Sequence, residues 1–178
     1  AAGAHAAHEL KSTSGRQYGL VHRDISPHNL MVGAGGHVKL LDFGIAKASQ
    51  GMDHTRTGML KGKISYMSPE QCRQEALDRR SDVFALGIVA FELLTGVRPF
   101  TGRSELATMQ NIVTGEMIEL RELRADCPAL VESAIVRSLA IEADNRYDTA
   151  DDMRREILRA AKEAGVAVDT DVTAGFVG

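Results

Sequence analysis

Apolar residues recur with a helical period through most of the second half of the chain, and most densely between positions 83 and 94. There Val83, Leu86, Val89, Ala90, Leu93 and Leu94 form one face, while Phe84, Ile88 and Phe91 make the opposite face apolar as well. A helix that is apolar nearly all round has to be buried, so this segment is predicted to be a central pillar, opened by Ser81 as N-cap and ended by Gly96. Three more helices are predicted over 104–114, 129–139 and 150–164, the last opened by Thr149 and Asp152 in a variant capping-box spacing.

The first half is patterned differently. Residues 1–14 are Ala-rich with Leu10 and predict a helix that Gly15 ends. Residues 19–29 have no period, and Pro27 biases Ser26 away from helical geometry, so this stretch is a loop. Leu30-Met31-Val32 and Val38-Lys39-Leu40-Leu41 flank Gly33-Ala34-Gly35-Gly36, which predicts a hairpin. Residues 45–69 also lack periodicity, and ordered loops of that length usually have a function. The expected class is mainly α (α+β) with small β-hairpins, as one domain over 1–164 followed by a linker or disordered tail over 165–178.

Composition narrows the partners. A chain of 178 residues can bury one sizeable core without staples. Its net charge is −3 and its Lys and Arg residues are scattered, which argues against a nucleic-acid surface. Cys72 and Cys127 belong to no CxxC or Cys/His cluster, so neither zinc nor a disulfide framework is expected, and a reducing cytoplasm fits, with a membrane anchor outside this segment left open. The longest apolar run, over 83–91, is about half the ~20 residues of a membrane span. The start AAGAHAAHEL has neither an initiator Met nor a signal pattern, and reads as a cut through a longer polypeptide.

The chemistry is concentrated in His22-Arg23-Asp24, then Asn29 five residues after the Asp, then Asp42-Phe43-Gly44 beyond the hairpin. A carboxylate at Asp24 can accept the proton of an attacking hydroxyl, and Asn29 and Asp42 offer hard oxygens to Mg²⁺, or Mn²⁺, bridging the phosphates of ATP. A lone loop Asp is more often a turn residue than a catalyst, and only the fixed spacing of the whole set reverses that weighting.

This constellation resembles that of the eukaryotic-type (Hanks-type) serine/threonine protein kinases, and further landmarks of the family follow in order at 62–70, Asp82 and Arg146. The resemblance spans about residues 1–164 and implies the C-terminal lobe of such a kinase, with protein Ser/Thr hydroxyls as acceptors. It implies that Glu70 pairs with Arg146, and that Asp82 accepts hydrogen bonds from the backbone of the 22–24 loop. It further implies that His22 and Phe43, the latter followed by Gly44, stack in a regulatory column, and that Met31 lies beneath the adenine ring. Arg23 before the catalytic Asp implies control by a phosphate on the activation loop, with Thr55 and Thr57 as the candidate acceptors. Pro27 resembles the serine/threonine branch, and the wording of HRDISPHN and YMSPEQ resembles bacterial members.

Four departures from the family pattern matter. Ser26 stands where most members carry a Lys near the transferred phosphate, and Lys63 stands where they carry a Thr, so Lys63 is expected to restore the missing charge while Ser26 makes room. Ser68 replaces the usual Ala before Pro69-Glu70. No Gly-rich loop, Val-Ala-x-Lys strand or partner Glu precedes Asp24, so an N-terminal lobe is absent and the isolated chain is expected to be nearly inactive. The alternative is a non-catalytic, pseudokinase-like scaffold that docks proteins around Arg98-Pro99-Phe100 and the following helix.

Overall fold

The computed structural model describes residues 1–33, 36–42 and 63–166; Phe43, Gly44, Thr55, Thr57 and the tail beyond Val166 lie outside the described residues. In chain order the elements are α1 (Ala2–His8), β1 (Leu30–Val32), β2 (Val38–Leu40), α2 (Pro69–Cys72), α3 (Arg79–Thr95), α4 (Glu105–Thr114), α5 (Leu120–Leu123), α6 (Ala129–Ser138) and α7 (Ala150–Glu163). Single 3₁₀ turns lie at Pro27–Asn29, Ile64–Tyr66 and Ala143–Asn145. The strands pair antiparallel with Leu30 opposite Leu40, and theirs is the one sheet among the described residues. The class is therefore mainly α with a small hairpin, as the pattern of the chain predicts.

The pillar is α3. Ser81 through Val89 and Phe91 are all buried, and the helix packs against α5, α6, α7 and the 64–66 turn. Its approach to α6 requires a glycine: a Cβ on Gly87 would meet Ser138 Oγ at 2.2 Å. Phe84 stacks on Phe100 with ring centroids 5.7 Å apart, and the Arg146 guanidinium lies 4.8 Å from the Phe84 ring centroid. Of the segment considered for docking, Pro99 and Phe100 are thus inside the fold.

Two predicted details differ. The N-cap of α3 is Asp78, whose carboxylate accepts the Arg80 N–H at 2.7 Å; Ser81 sits in the first turn and donates its hydroxyl to Glu70. At the other end Gly96 closes the helix at φ 77°, but Leu93 is 78% exposed, because only one face of the last turn, that of Phe91 and Leu94, is on the core. The N-terminal helix stops at His8 rather than running to Gly15. Beyond it Ser12 bonds locally, its Oγ accepting the Arg16 N–H and its own N–H donating to the Arg16 carbonyl, while Lys11 and Gln17 form a bridge turned by Gly15 at φ 81°. Such side-chain bonding competes with helix continuation. The later helices fall where the pattern puts them, with Ser104 capping α4 and Thr149 capping α7. The predicted loop over 45–69 ends in the short α2, and α5 is likewise short, each four residues long and below the reach of a periodicity argument.

Candidate active site

Asp82, 1% exposed in the first turn of α3, organises the loop that carries Asp24. Its Oδ2 accepts the His22 N–H at 2.7 Å and His8 Nε2–H at 2.7 Å, and its Oδ1 accepts the Arg23 N–H at 3.0 Å. Directed N–H donors and the positive end of α3 together stabilise this buried carboxylate. His22 is also fully buried. Its Nε2–H donates to the Leu41 carbonyl at 2.9 Å, and its Nδ1 accepts the Asp24 N–H at 3.3 Å, a pair of partners that fixes the tautomer.

Arg23 has φ 66°, a left-handed conformation that costs a non-glycine residue about 1–3 kcal/mol and persists only where its surroundings hold it. Here the N–H is bound by Asp82, and the carbonyl accepts Gln71 Nε2–H at 2.9 Å. The next residue is the candidate base. The Asp24 carbonyl accepts Asn29 Nδ2–H at 2.7 Å, and its carboxylate, with 12% of the side chain exposed, receives Lys63 Nζ at 2.6 Å from a side chain 38% exposed.

The remaining predicted residues fall around this point. Ser26 is 3% exposed in extended geometry, φ −157° and ψ 164°, and its carbonyl accepts the Asn29 N–H at 3.0 Å. Asn29 is half-buried; since its amide nitrogen is committed to Asp24, its oxygen is the atom suited to a cation. Met31 is 53% exposed on β1, and Asp42, exposed at φ 51°, follows β2. Among the described residues no three His, Cys, Asp or Glu side chains gather as a metal cluster.

Behind the loop, Arg146 and Glu70 meet fork to fork, Nη1 to Oε1 at 2.8 Å and Nη2 to Oε2 at 2.9 Å. Burial acts to raise the Glu70 carboxyl, but the bonds from Arg146 and Ser81 outweigh it and hold it below the ordinary range. Burial, and then the Glu70 charge, push the neighbouring Cys72 thiol up to about 11, so it is protonated at neutral pH and unsuited to be a nucleophile.

Two functional contacts escaped the sequence reading. His8 left only the trace of a polar residue in an Ala-rich helix. Gln71 did leave a signal: Ser68 and Gln71 have capping-box spacing, and they form that box.

Comparison with known proteins adds the following. The family model described as "Protein kinase domain" matches residues 16–161. The chain is 47% identical over 151 residues to "Tyrosine-protein kinase MasK" of Myxococcus xanthus (strain DK1622), covering 85% of this chain and 23% of that protein. It is 40% identical over 145 residues to "Serine/threonine-protein kinase PknB" of Mycolicibacterium smegmatis, covering 80% and 23%. It is 40% identical over 141 residues to "Serine/threonine-protein kinase PrkC" of Bacillus subtilis (strain 168), covering 79% and 22%. The chain therefore spans about a quarter of the length of these curated relatives. No helix among the described residues is long and apolar enough to cross a membrane.

Proposed function

The chain belongs to the protein kinase family, among the eukaryotic-type enzymes of bacteria, and from that premise we propose that it carries the catalytic and metal-binding loops of a protein-serine/threonine kinase. Asp24 accepts the proton of a Ser or Thr hydroxyl as that oxygen bonds to the γ-phosphorus of ATP and the bond to the β-phosphate oxygen breaks, leaving ADP. The observation that carries this reading is the convergence on Asp24. Its flanking peptide groups are hydrogen-bonded on both sides, and a lysine ammonium lies 2.6 Å from its carboxylate.

Asn29 and Asp42 would hold Mg²⁺, which neutralises charge on the phosphate oxygens when bound. Lys63 supplies the cation that the Ser26 position lacks, and the small, buried Ser26 leaves room for it. Met31 supports the adenine ring, and His22 and Phe43 form the regulatory column. Arg23 receives the phosphate of Thr55 or Thr57. Pro27 favours Ser/Thr acceptors, while the tyrosine-kinase name of one relative makes a tyrosine peptide the competing arm of the test.

That test is Mg²⁺-dependent radiolabel transfer from ATP to Ser, Thr and Tyr peptides. It compares this chain, a version carrying an ATP-binding lobe upstream, and Asp24→Asn in each. The extended protein is expected to label Ser or Thr, and Asp24→Asn to cost ~10²–10⁴-fold. The 178-residue chain alone should be far slower, since no Gly-rich loop orients the phosphates. Transfer that survives Asp24→Asn, or that goes only to Tyr, would overturn the reading.

A further inference from the structure

The peptide group joining Arg23 to Asp24 has two polar handles. Its N–H, on Asp24, reaches His22 Nδ1 at 3.3 Å, which is long for a hydrogen bond. Its oxygen, on Arg23, accepts Gln71 Nε2–H at 2.9 Å, which is the better contact of the two. Arg23 is left-handed at φ 66°, a conformation that persists only while contacts such as these hold it.

The Gln71 side chain is itself fixed. Its Oε1 accepts the Ser68 N–H at 3.0 Å, and its own backbone N–H reaches Ser68 Oγ at 3.3 Å. Each partner allows one orientation only, since the Ser68 N–H can only donate and the Arg23 carbonyl can only accept. One amide therefore spans two segments: its oxygen grips the end of the 63–68 stretch and its nitrogen grips the residue before Asp24. Lys63, at the start of that stretch, is on the Asp24 carboxylate.

Resting on the kinase reading above, we propose that Gln71 is a positioning residue that sets the Arg23–Asp24 peptide, so that Asp24 is aimed only while the 63–68 stretch is in place. A carboxylate turned by even an ångström no longer meets the acceptor hydroxyl, whereas nucleotide and peptide binding are untouched.

The experiment uses the two-lobed protein with Gln71→Glu, Gln71→Met and Asp24→Asn in parallel. Gln71→Glu keeps the acceptor for Ser68 but loses the donor for Arg23, and Gln71→Met is of the same length without either. Both are expected to lower kcat ~10–100-fold with KM for ATP and peptide within about twofold. The loss in Gln71→Glu should shrink as pH falls, since a protonated carboxyl regains a donor for the Arg23 carbonyl, while that in Gln71→Met stays constant relative to wild type. A kcat within about twofold of wild type in both variants, with Asp24→Asn inactive, overturns the positioning role and leaves the kinase reading intact. Transfer that persists in Asp24→Asn overturns both.

Discussion

Arg146–Glu70 and Lys63–Asp24 are both ion pairs joining the 63–70 region to the rest of the fold, and they differ in how far water reaches the cation. Arg146 has no exposed side-chain surface; beyond its two bonds to Glu70 it donates to the carbonyls of Ala140, Arg80 and Ile141, and Glu70 also accepts from Ser81. Lys63 makes one contact to Asp24 and is 38% exposed. The first pair cannot open without stranding charge in the interior. The second can open at little cost, because water already solvates part of the lysine. A buried, multiply bonded contact and a partly solvated one thus lie within a few residues of each other.

The sharpest way to break the contrast is Arg146→Met, which leaves Glu70 buried without its cation and should cost about 3–5 kcal/mol in urea denaturation. A loss under about 1 kcal/mol would place this pair with surface ones. Next in size, Lys63→Met should lower kcat by ~10²-fold in the two-lobed enzyme, through loss of a charge near the transferred phosphoryl. Its stability should change by only about 0.2–1 kcal/mol. Unchanged turnover would mean that Lys63 does not replace the missing cation.

The smallest effect is in pH. The Glu70 carboxyl is held below its ordinary 4.5 in the folded state, so the unfolded chain takes up that proton first. Its stabilisation is therefore complete above 4.5 and is lost as pH falls below it. The urea midpoint of the wild type should drop more steeply in acid than that of Glu70→Gln, and parallel curves would show that the pair adds no such stabilisation.

How much of this was legible depended on the distance over which each feature is specified. The cap at Thr149 and the apolar run of α3 are local, and the sequence displays them directly. The spacing of Asp24, Asn29 and Asp42 is also local, and it pointed to the loop that the fold then organises. The start of α3 differs from the expectation because Ser81 is as good a cap by type as Asp78, but Ser81 lies in the first turn with its hydroxyl on Glu70. His8 and Gln71 were missed for a different reason. Their partners lie 74 and 48 positions away, and a contact of that separation leaves no period in the chain.

The donors on Asp82 carry one more consequence, which concerns time. His22 and Asp82 are 60 positions apart, and His8 and Asp82 are 74. Contacts of such range form late, because the chain between them must lose its freedom before the bonds offer any return. The loop around Asp24 therefore acquires its shape only when the first turn of α3 has met His8 and His22. A chain that has not yet brought Asp82 to His8 and His22 has every residue of this loop and none of its shape.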